Sequence, residues 1–324
     1  MAMELTENIG LALAALLLEA LLGYPAWLYA AIGHPVSWVG RIIGFAERRL
    51  NAPDRAAQDR RGRGAAFMIG LLFAVGFGAL WLHFALAVSI VGQAALALLA
   101  ATLIAQRSLY AHVRDVADGL DGSLEDGRMA VARIVGRNVD ELDEAGVSRA
   151  AIESLAENFS DGVVAPTFWL ALLGLPGATL YKTINTADSM IGHKTARYRE
   201  FGFAAAKIDD VANWAAARIS GALIVAAAAF GRETWPLRGW RVMRRDAGKH
   251  ASPNAGWPEA AMAGALHVRL GGPRAYGGNV VDGAWLGDAD EPVDRHTIRR
   301  ALKLYRRALV IQFLALAFLA ALLV

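Results

Sequence analysis

The sequence contains no cysteine among its 324 residues. This absence excludes disulfide bonds, thiolate zinc sites and cysteine nucleophiles, so any bound metal must use oxygen or imidazole ligands. The chain also has almost no excess of either charge, since it contains 33 Lys and Arg residues and 30 Asp and Glu residues. A formal net charge of +3 gives no reason to expect a nucleic acid partner.

Several familiar catalytic motifs are missing as well. The chain has no G-x-x-x-x-G-K-[ST] segment, so any use of a nucleotide would not involve a standard P-loop. Neither H-E-x-x-H nor G-x-S-x-G occurs. The absence of these motifs argues against the common zinc proteases and serine hydrolases.

Apolar residues dominate what is present. Hydrophobic residues make up 56% of the chain and the mean hydropathy is +0.35, with the excess concentrated in long runs. Ile9 to Gly33 and Ala308 to Val324 are each suited to a membrane span, so we predict a helix in both. No Lys or Arg precedes Arg41, so the first segment lacks the basic start of a cleavable signal peptide and is expected to stay attached.

The run from Ala65 to Ala105 is about twice the roughly 20 residues that one span requires, so we predict a helical hairpin. Trp81 and His83 near its middle suit an interfacial turn. Arginines cluster between the first span and this hairpin: Arg41, Arg48, Arg49, Arg55, Arg60, Arg61 and Arg63. Since cytoplasmic loops are rich in Lys and Arg, we place this segment inside and the N-terminus outside.

Two apolar stretches leave the topology open. Val163 to Tyr181 is interrupted by Pro166, Gly174 and Pro176, and Trp214 to Gly231 carries a charge. If both cross fully, the polar segment between them faces outward; if both are re-entrant or buried, it faces the cytoplasm. We favour the buried interpretation, because irregular backbone at membrane depth requires protein or a wet cavity around it.

The predicted fold class is therefore an all-α, multi-pass integral membrane protein. It has four to six spans, and amphipathic or re-entrant helices form a cytoplasm-facing site. We expect a single integral membrane domain over residues 1–324.

The segment from Val147 to Pro166 combines a helical pattern with polar residues on neighbouring faces. Ser148 is a suitable N-cap, and we predict a short helix that continues to Gly162. On helical spacing Glu153 and Glu157 share one face. The neighbouring face carries three further polar side chains, Ser154, Asn158 and Asp161. A solvated face would explain the two glutamates alone, but the adjoining apolar segment favours a site.

Residues 185–213 hold two acidic clusters with a basic one between them. Asn185 and Asp188 come first, and the second acidic cluster is Asp209, Asp210 and Asn213. The polar and basic residues between them are Ser189, His193, Lys194, Arg197, Tyr198 and Arg199. Carboxylates with amides are the oxygen ligands that magnesium accepts beside substrate phosphate, which the cations could bind. A structural role explains His193 equally well, so the prediction depends on the whole pattern.

Two further regions are candidates for binding anions. Arg218 lies in an apolar run, where a charge is costly unless it is paired or faces a cavity. Between Ser252 and Pro273, Pro258 suits the first turn of a helix that Gly271 and Gly272 would end. The entry loop and first turn, where exposed N–H groups favour an anion, contain Ser252, Asn254 and Glu259.

Five segments, taken together and in order, resemble one known family. They are GHPVSWVGR (33–41), SRAAIESLAENFSDGVVAPTFW (148–169), YKTINTADSMIGHKTARYREFG (181–202), AAAKIDDVANW (204–214) and SPNAGWPEAAMAGALHVRLGGP (252–273). The family is the adenosylcobinamide-phosphate synthases of cobalamin biosynthesis. The resemblance covers most of the chain, and its three long motifs are specific.

The resemblance implies an ATP-dependent carbon–nitrogen ligase. Such an enzyme joins adenosylcobyric acid, a corrinoid substrate, to an amino-alcohol phosphate through an amide bond, with ATP and Mg²⁺. The amine is normally (R)-1-aminopropan-2-ol O-phosphate, with ethanolamine phosphate as the alternative. The implied location is the cytoplasmic (inner) membrane, with the active site facing the cytoplasm. The implied partners are the lipid bilayer and other membrane enzymes of cobalamin assembly, and no nucleic acid.

Candidate roles follow at the matching positions. The predicted catalytic residues are Glu153, Asp188, His193 and Lys194. The residues predicted to bind substrate or phosphate are Asn158, Asn185, Ser189, Lys194, Arg197, Tyr198, Asn213, Arg218, Ser252, Asn254 and Glu259. The predicted metal ligands are Asp161, Asp188, Asp209 and Asp210. The chain departs from the family pattern at residues 215–217, where Ala-Ala-Ala replaces Ile-Pro-Ala before Arg218, and at His267, where glycine is expected.

Two rival interpretations stay open. An intramembrane, magnesium-dependent prenyltransferase would also place Asn and Asp motifs in a helical membrane protein, although the expected repeated acidic pattern on two helices is absent. A membrane transporter would explain the interrupted helices and Arg218, although no paired internal similarity is visible.

Overall fold

The computed structural model describes residues 2–136, 138–276, 279–281, 283–289 and 292–323, and these ranges are mainly helical. Their α-helices are α1 Ala2–Leu22, α2 Ala26–Ile32, α3 Pro35–Leu50, α4 Ala57–Ala87, α5 Ile90–Ala101, α6 Gln106–Gly122, α7 Leu124–Val131, α8 Glu144–Phe159, α9 Ala165–Ile191, α10 Phe203–Ala212, α11 Trp214–Ala228, α12 Pro236–Asp246, α13 Gly256–Leu266 and α14 Arg295–Leu323. A π-helical turn, Ser160–Val164, precedes α9, and a 3₁₀ turn, Ala247–Lys249, follows α12.

Very short strands complete the described ranges. Strand β1, Leu270–Gly271, pairs antiparallel with β4, Trp285–Leu286, and β2, Arg274–Tyr276, pairs antiparallel with β3, Asn279–Val281. These pairs are too small to change the fold class. The predicted all-α class is confirmed.

Five helical segments of the described ranges are long and apolar enough to cross a membrane. They are Glu4–Leu22, Ala57–Ala87, Ile90–Gly122, Glu144–Ile191 and Arg295–Leu323. A sixth arises if α10 and α11, which are bent by 46°, form one broken span. On α4, Phe73, Phe77 and Phe84 are largely exposed, as expected for side chains that contact lipid. The multi-pass class and the range of four to six spans are confirmed.

The first predicted helix is wrong in its bounds. The structure ends α1 at Leu22 and starts α2 at Ala26, whereas the sequence predicted one helix from Ile9 to Gly33. Gly23 adopts φ +61°, a left-handed conformation that ends a helix, and Pro25 lacks the N–H that a continuing helix needs.

The predicted hairpin turn is also misplaced. Helix α4 continues through Trp81 and His83 to Ala87, and α5 begins at Ile90. The actual signal is Ser89, the N-cap of α5, whose side chain accepts a hydrogen bond from Gly92 N. The last predicted span is confirmed as far as Leu323, and Val324 lies outside the described residues.

The structure also differs from the predicted start and end of α8, and it confirms the interruption expected in α9. Asp143, not Ser148, caps α8, because its carboxylate accepts from Gly146 N at 2.7 Å while Ser148 is buried inside the helix. The α-helix ends at Phe159 rather than Gly162 and passes into the π-helical turn. Within α9, Gly174 has φ +65° and breaks the helix, which agrees with the interruption expected between residues 163 and 181.

The chain forms two compact units, each assembled from separate stretches of sequence. The first unit contains residues 1–105, 165–213 and 316–324, and the second contains residues 106–164 and 214–315. The expectation of a single domain over 1–324 stays a prediction.

The core of the first unit joins α3, α4, α9 and α10. Its fully or almost fully buried members are Ile43, Met68, Leu71, Ala187, Ile191, Phe201 and Ala205. Gly64 allows the close approach of α4 to the segment before α10, because an added Cβ would lie 1.9 Å from Phe201 O. This core fixes the ends of α9 and α10, where most of the candidate residues lie.

Helix α13 is the buried centre of the second unit. Most of its side chains are inaccessible, and α12 approaches it so closely that a Cβ at Gly264 would lie 2.7 Å from Arg238 O. The predicted end at Gly271 and Gly272 is wrong, because α13 ends at Leu266 and His267 caps it with φ +58°. That left-handed conformation explains why glycine is expected at position 267.

The left-handed backbone conformation of His267 predicts a measurable difference in stability between two substitutions at this position. We expect His267→Gly to be more stable than His267→Ala by about 1 kcal/mol, because both lose the ring contact with Trp235 and only glycine relieves the backbone strain. Thermal unfolding of both purified variants tests this. Equal stability would mean that the position carries no strain.

Candidate functional site

The first unit gathers three of the four predicted metal ligands. Asp188 lies near the end of α9, and Asp209 and Asp210 lie on α10. These three carboxylates, called the acidic cluster below, are close enough for their charges to interact. Lys207 Nζ donates to Asp210 Oδ2 at 3.1 Å, and Asp209 is the buried member of the cluster.

Asp209 is held by a chain of hydrogen bonds. Tyr181 OH donates to Asn213 Oδ1 at 2.8 Å, and Asn213 Nδ2 donates to Asp209 Oδ2 at 3.0 Å. The side chain of Asn185 also interacts with this carboxylate. Trp169 Nε1 donates to Ala212 O at 3.0 Å and fixes the end of α10. Asp209 is therefore oriented rather than free to rotate.

The donor set of the acidic cluster fits magnesium. Asp209 Oδ1 is buried and accepts no hydrogen bond from a described residue, so it is a carboxyl oxygen left for another partner. Within the described ranges no group of three or more His, Asp or Glu is arranged as a complete metal site. Magnesium commonly takes only one or two carboxylates together with water and substrate phosphate. The metal assignment of Asp188, Asp209 and Asp210 stays a prediction.

The segment 192–202, called the basic loop below, follows closely after Asp188. His193, Lys194 and Arg199 are exposed on it. Gly192 N donates to Asp188 O at 2.7 Å, and a Cβ at Gly192 would lie 1.9 Å from Asp188 Oδ1. The start of the loop and the Asp188 carboxylate are thus in direct contact.

Residues near the arginine-rich segment anchor the basic loop. Arg197 Nε and Nη2 donate to the two oxygens of Glu47 at 2.9 and 2.8 Å. Asn51 Nδ2 donates to Arg197 O at 3.0 Å, and Arg60 Nη2 donates to the same carbonyl. The contact with Glu47 shows that Arg197 holds the loop in place, and its proposed phosphate contact stays a prediction.

The other polar residues of this region surround the loop. Ser189 Oγ donates to Asn185 O at 2.9 Å on the exposed side of α9. The Tyr198 ring lies 5.5 Å from the Arg197 guanidinium carbon and 6.3 Å from the His193 ring. The first unit therefore brings together every predicted site residue between 185 and 213.

Glu47 gives the anchoring of the loop a pH dependence. The hydrogen bonds from Arg197 lower the pKa of the Glu47 carboxyl, so its stabilisation is present above the ordinary glutamate pKa of about 4.3. It is lost as the pH falls through the lowered folded-state pKa. We expect Glu47→Gln to cost about 1–2 kcal/mol and to speed amide exchange in residues 192–202 at neutral pH.

Hydrogen exchange of the wild-type and Glu47→Gln proteins tests this prediction. Asp59→Asn is the matched control, because it removes a carboxylate that pairs with Arg55 and Arg63 rather than with the loop. Unchanged exchange in Glu47→Gln would show that the other contacts suffice to anchor the loop.

In the second unit, α8 and the π-helical turn carry the remaining predicted carboxylates. Glu153 is buried, and its Oε1 accepts from Gly271 N at 2.6 Å. Asn158 is exposed and donates from Nδ2 to Ser154 O at 3.0 Å. Asp161 is partly buried in the π-helical turn. Glu153 thus holds β1, and its catalytic role stays a prediction.

The start of α13 forms a second polar cluster. Ser252 Oγ accepts from Asn254 N and Ala255 N, each at 3.2 Å, and turns the chain into the helix. Glu259 is almost fully buried, with His250 Nε2 at 3.6 Å from its Oε1. His250 Nδ1 accepts from Ser252 N at 3.0 Å. Ser252, Asn254 and Glu259 are therefore neighbours, as the sequence predicted, and His250 joins them.

Arg218 lies between two indole rings. Its guanidinium carbon is 4.2 Å from the Trp214 ring centre and 4.5 Å from that of Trp257, and Nη1 donates to Trp214 O at 2.7 Å. Within the described ranges it forms no ion pair with a carboxylate. A guanidinium held by aromatic faces and lacking a carboxylate partner suits an anion.

Several residues of these clusters were not singled out from the sequence. They are Glu47, Tyr181, Trp214, His250 and Trp257. All but Glu47 lie inside or beside the family-like segments, so a polar or aromatic residue next to a candidate was the available signal. Glu47 gave none, because its partner Arg197 is 150 positions away.

The fold and these clusters define a helical, multi-pass membrane protein with a carboxylate-and-amide cluster beside a basic loop. The sequence profile described as CobD/Cbib protein matches residues 12–305. The chain belongs to the CobD/CbiB family, and the family resemblance of its motifs is confirmed.

Relatives described as "Cobalamin biosynthesis protein CobD" cover most of the chain. The protein from Sinorhizobium sp is 51% identical over 278 residues, 85% of this chain and 86% of that protein. The Brucella suis biovar 1 protein is 49% identical over 275 residues, 84% of each chain. The Rhodobacter capsulatus protein is 48% identical over 295 residues, 90% of this chain and 91% of that protein. No solved structure matches the chain.

Proposed function

We propose that this protein acts in cobalamin biosynthesis as an adenosylcobinamide-phosphate synthase. It would join adenosylcobyric acid to (R)-1-aminopropan-2-ol O-phosphate, or to ethanolamine phosphate, in an ATP-dependent amide ligation. Membership of the CobD/CbiB family and the name of its relatives support the pathway. The observation that carries the reaction is the buried Asp209 oxygen without a hydrogen-bond partner among the described residues, beside Asp188 and the basic loop.

The reaction has two balanced steps. A carboxylate oxygen of the corrinoid attacks the γ-phosphorus of ATP, the bond from that phosphorus to ADP breaks, and an acyl phosphate forms. The neutral amine then attacks the acyl carbon, the carbon–oxygen bond to phosphate breaks, and the amine nitrogen gives up a proton. Negative charge grows on phosphoryl oxygens and then on the tetrahedral carbon, so positioned cations and donors lower the barrier.

The acidic cluster would hold Mg²⁺ through Asp188 and Asp209, with Asp210 as a further predicted ligand. Asp161, in the second unit, stays a predicted metal ligand. A bound Mg²⁺ neutralises phosphate charge and orients the phosphoryl group. Asn213 and Tyr181 keep the Asp209 carboxylate in one orientation, which removes the cost of ordering it during the reaction.

The exposed cations of the basic loop would bind phosphate. His193 and Lys194 follow shortly after Asp188 in the chain and are separate from the anchoring contact with Glu47, which Arg197 makes. Arg218 would bind a second anionic group through donors not used by Trp214 O. Glu153, or another carboxylate of the candidate set, would accept the amine proton.

We further propose that the protein lies in the inner membrane and that its site faces the cytoplasm. Arg60 and Asn51 of the arginine-rich segment donate to Arg197 O, so the basic loop lies on the same side as that segment. The positive-inside rule assigns such a segment to the cytoplasm, where ATP is available.

Mass spectrometry of the purified protein with adenosylcobyric acid, aminopropanol phosphate, ATP and Mg²⁺ tests the proposal. Amide product and ADP are expected only when all four are present. A folded protein that forms no amide with either amino-alcohol phosphate would overturn the ligase assignment and favour the transporter interpretation. Transfer from an isoprenoid diphosphate would instead indicate a prenyltransferase.

A further inference from the structure

We propose that the exposed face of α12 is a binding surface for the anionic phospholipid headgroups of the membrane. This surface, called the α12 face below, consists of Leu237, Trp240, Arg241 and Arg244. It lies outside the clusters described above, and the proposal does not depend on the ligase reaction.

The α12 face combines apolar and cationic side chains at helical spacing. Leu237 is 80% exposed and Trp240 is 47% exposed, while Val242 and Met243 on the opposite side are buried. The four residues fall at positions i, i+3, i+4 and i+7, so they form one stripe. Together with Arg245 they line an open depression of about 510 Å³. A stripe of Trp, Leu and Arg is typical of helices that lie in the lipid headgroup layer.

The cations of α12 divide into two groups. Arg238 and Arg245 are paired with Asp288, and Arg245 also pairs with the buried Asp246. Arg241 and Arg244 form no ion pair with a described residue, and the Arg244 guanidinium carbon lies 5.7 Å from the Trp240 ring centre. The paired arginines fix the helix within the second unit. The other two leave positive charge on the exposed face, where an anion complements it.

The chain before α12 lies beside the basic start of the last apolar segment. Gly231 is so near Arg307 that an added Cβ would be 2.3 Å from its Nη1. Arg300 Nη2 donates to Glu233 O at 3.0 Å, and its guanidinium carbon is 5.8 Å from the Trp235 ring centre. Arg307 is the last cation before the apolar residues 308–323, so it marks the headgroup level. Helix α12 begins one residue after Trp235 and therefore starts near that level.

Spin labelling in bilayers tests the proposal, and the absence of native cysteine makes single labels straightforward. Leu237→Cys places a label on the α12 face, and Met129→Cys places one on α7, at a residue that is 53% exposed among charged neighbours. Accessibility to oxygen and to a water-soluble nickel chelate is measured for full-length protein in nanodiscs of phosphatidylcholine, with and without phosphatidylglycerol. Arg241→Gln with Arg244→Gln then removes the two unpaired charges. Arg114→Gln with Arg133→Gln is the control of equal net charge, although Arg114 pairs with Asp115 and Asp118.

With phosphatidylglycerol present, we expect the Leu237→Cys label to favour oxygen over nickel and the Met129→Cys label to favour nickel. Removal of Arg241 and Arg244 should lower the affinity for phosphatidylglycerol by about fivefold for each charge, so the Leu237→Cys label should need a larger fraction of that lipid to favour oxygen. The control pair should leave this affinity unchanged. Water-like accessibility at Leu237→Cys in both bilayers would overturn the proposal, as would a signal independent of anionic lipid. A shift of the Leu237→Cys label to water-like accessibility when inorganic phosphate is added would overturn the lipid assignment and indicate a soluble anion site instead.

Discussion

Replacing Asp209 with asparagine is expected to lower amide formation by about a hundredfold to a thousandfold, the usual cost of removing one preorganised electrostatic group. The amide oxygen would accept the hydrogen bond from Asn213 in place of Oδ2. The amide nitrogen would then occupy the position of Oδ1, the buried oxygen that has no hydrogen-bond partner among the described residues. A donor there repels a cation where the wild-type oxygen attracts it.

Two measurements separate a catalytic loss from a structural one. The turnover of Asp209→Asn is measured by mass spectrometry, and Mn²⁺ binding is followed by electron paramagnetic resonance as a substitute for Mg²⁺. Asp288→Asn is the control, because that carboxylate pairs with Arg238 and Arg245 outside the acidic cluster. We expect weaker Mn²⁺ binding and slow turnover only in Asp209→Asn. Near-normal turnover in a folded Asp209→Asn protein would remove this residue from the site.

Replacing Gly192 with alanine is expected to slow the reaction by about a hundredfold. The added Cβ would lie 1.9 Å from Asp188 Oδ1 and 2.7 Å from Asp188 O, so the carboxylate or the start of the basic loop must move. A shift of about 1 Å in a positioned group is enough for a loss of this size. The substitution changes no charge, so the effect tests position alone.

Gly62→Ala is the matched control for this substitution. Gly62 lies inside α4 of the same unit, and a Cβ there would meet nothing within 4 Å. Alanine is favoured over glycine in a helix interior by about 1 kcal/mol, so this control should be slightly more stable and fully active. Full activity in Gly192→Ala, with thermal unfolding like that of the wild type, would contradict the placement of Asp188 at the reacting phosphate.

The sequence-based predictions succeeded where a local pattern determines the outcome. Long apolar runs identified the membrane-spanning class, because a span needs a minimum length of apolar residues whatever its neighbours are. The interruption at Gly174 was visible as Gly and Pro in an apolar run. Helix ends were less predictable, since Ser89 and Asp143 compete with other acceptable caps, and the chosen cap depends on packing around it.

The candidate clusters show the same division. The sequence between residues 185 and 213 showed a basic segment bracketed by acidic ones. The structure places Asp188 against the start of the basic loop and near Asp209 and Asp210. The partner of Arg197 could not be predicted from the sequence, because Glu47 is 150 positions away. The contact of Arg218 with Trp257 depends equally on the packing of α11 against α13, whereas Trp214 lies four positions before Arg218 on the same helix.

By itself, the sequence determined that the protein is helical, multi-pass and free of thiol chemistry, and it determined the family through motifs that are contiguous in the chain. Only the tertiary structure decided which polar groups meet. It oriented Asp209 through Asn213 and Tyr181, left one Asp209 oxygen without a described donor, and held the basic loop on Glu47. Composition and periodicity act over one helix, whereas hydrogen bonds between distant segments exist only after packing brings those segments together.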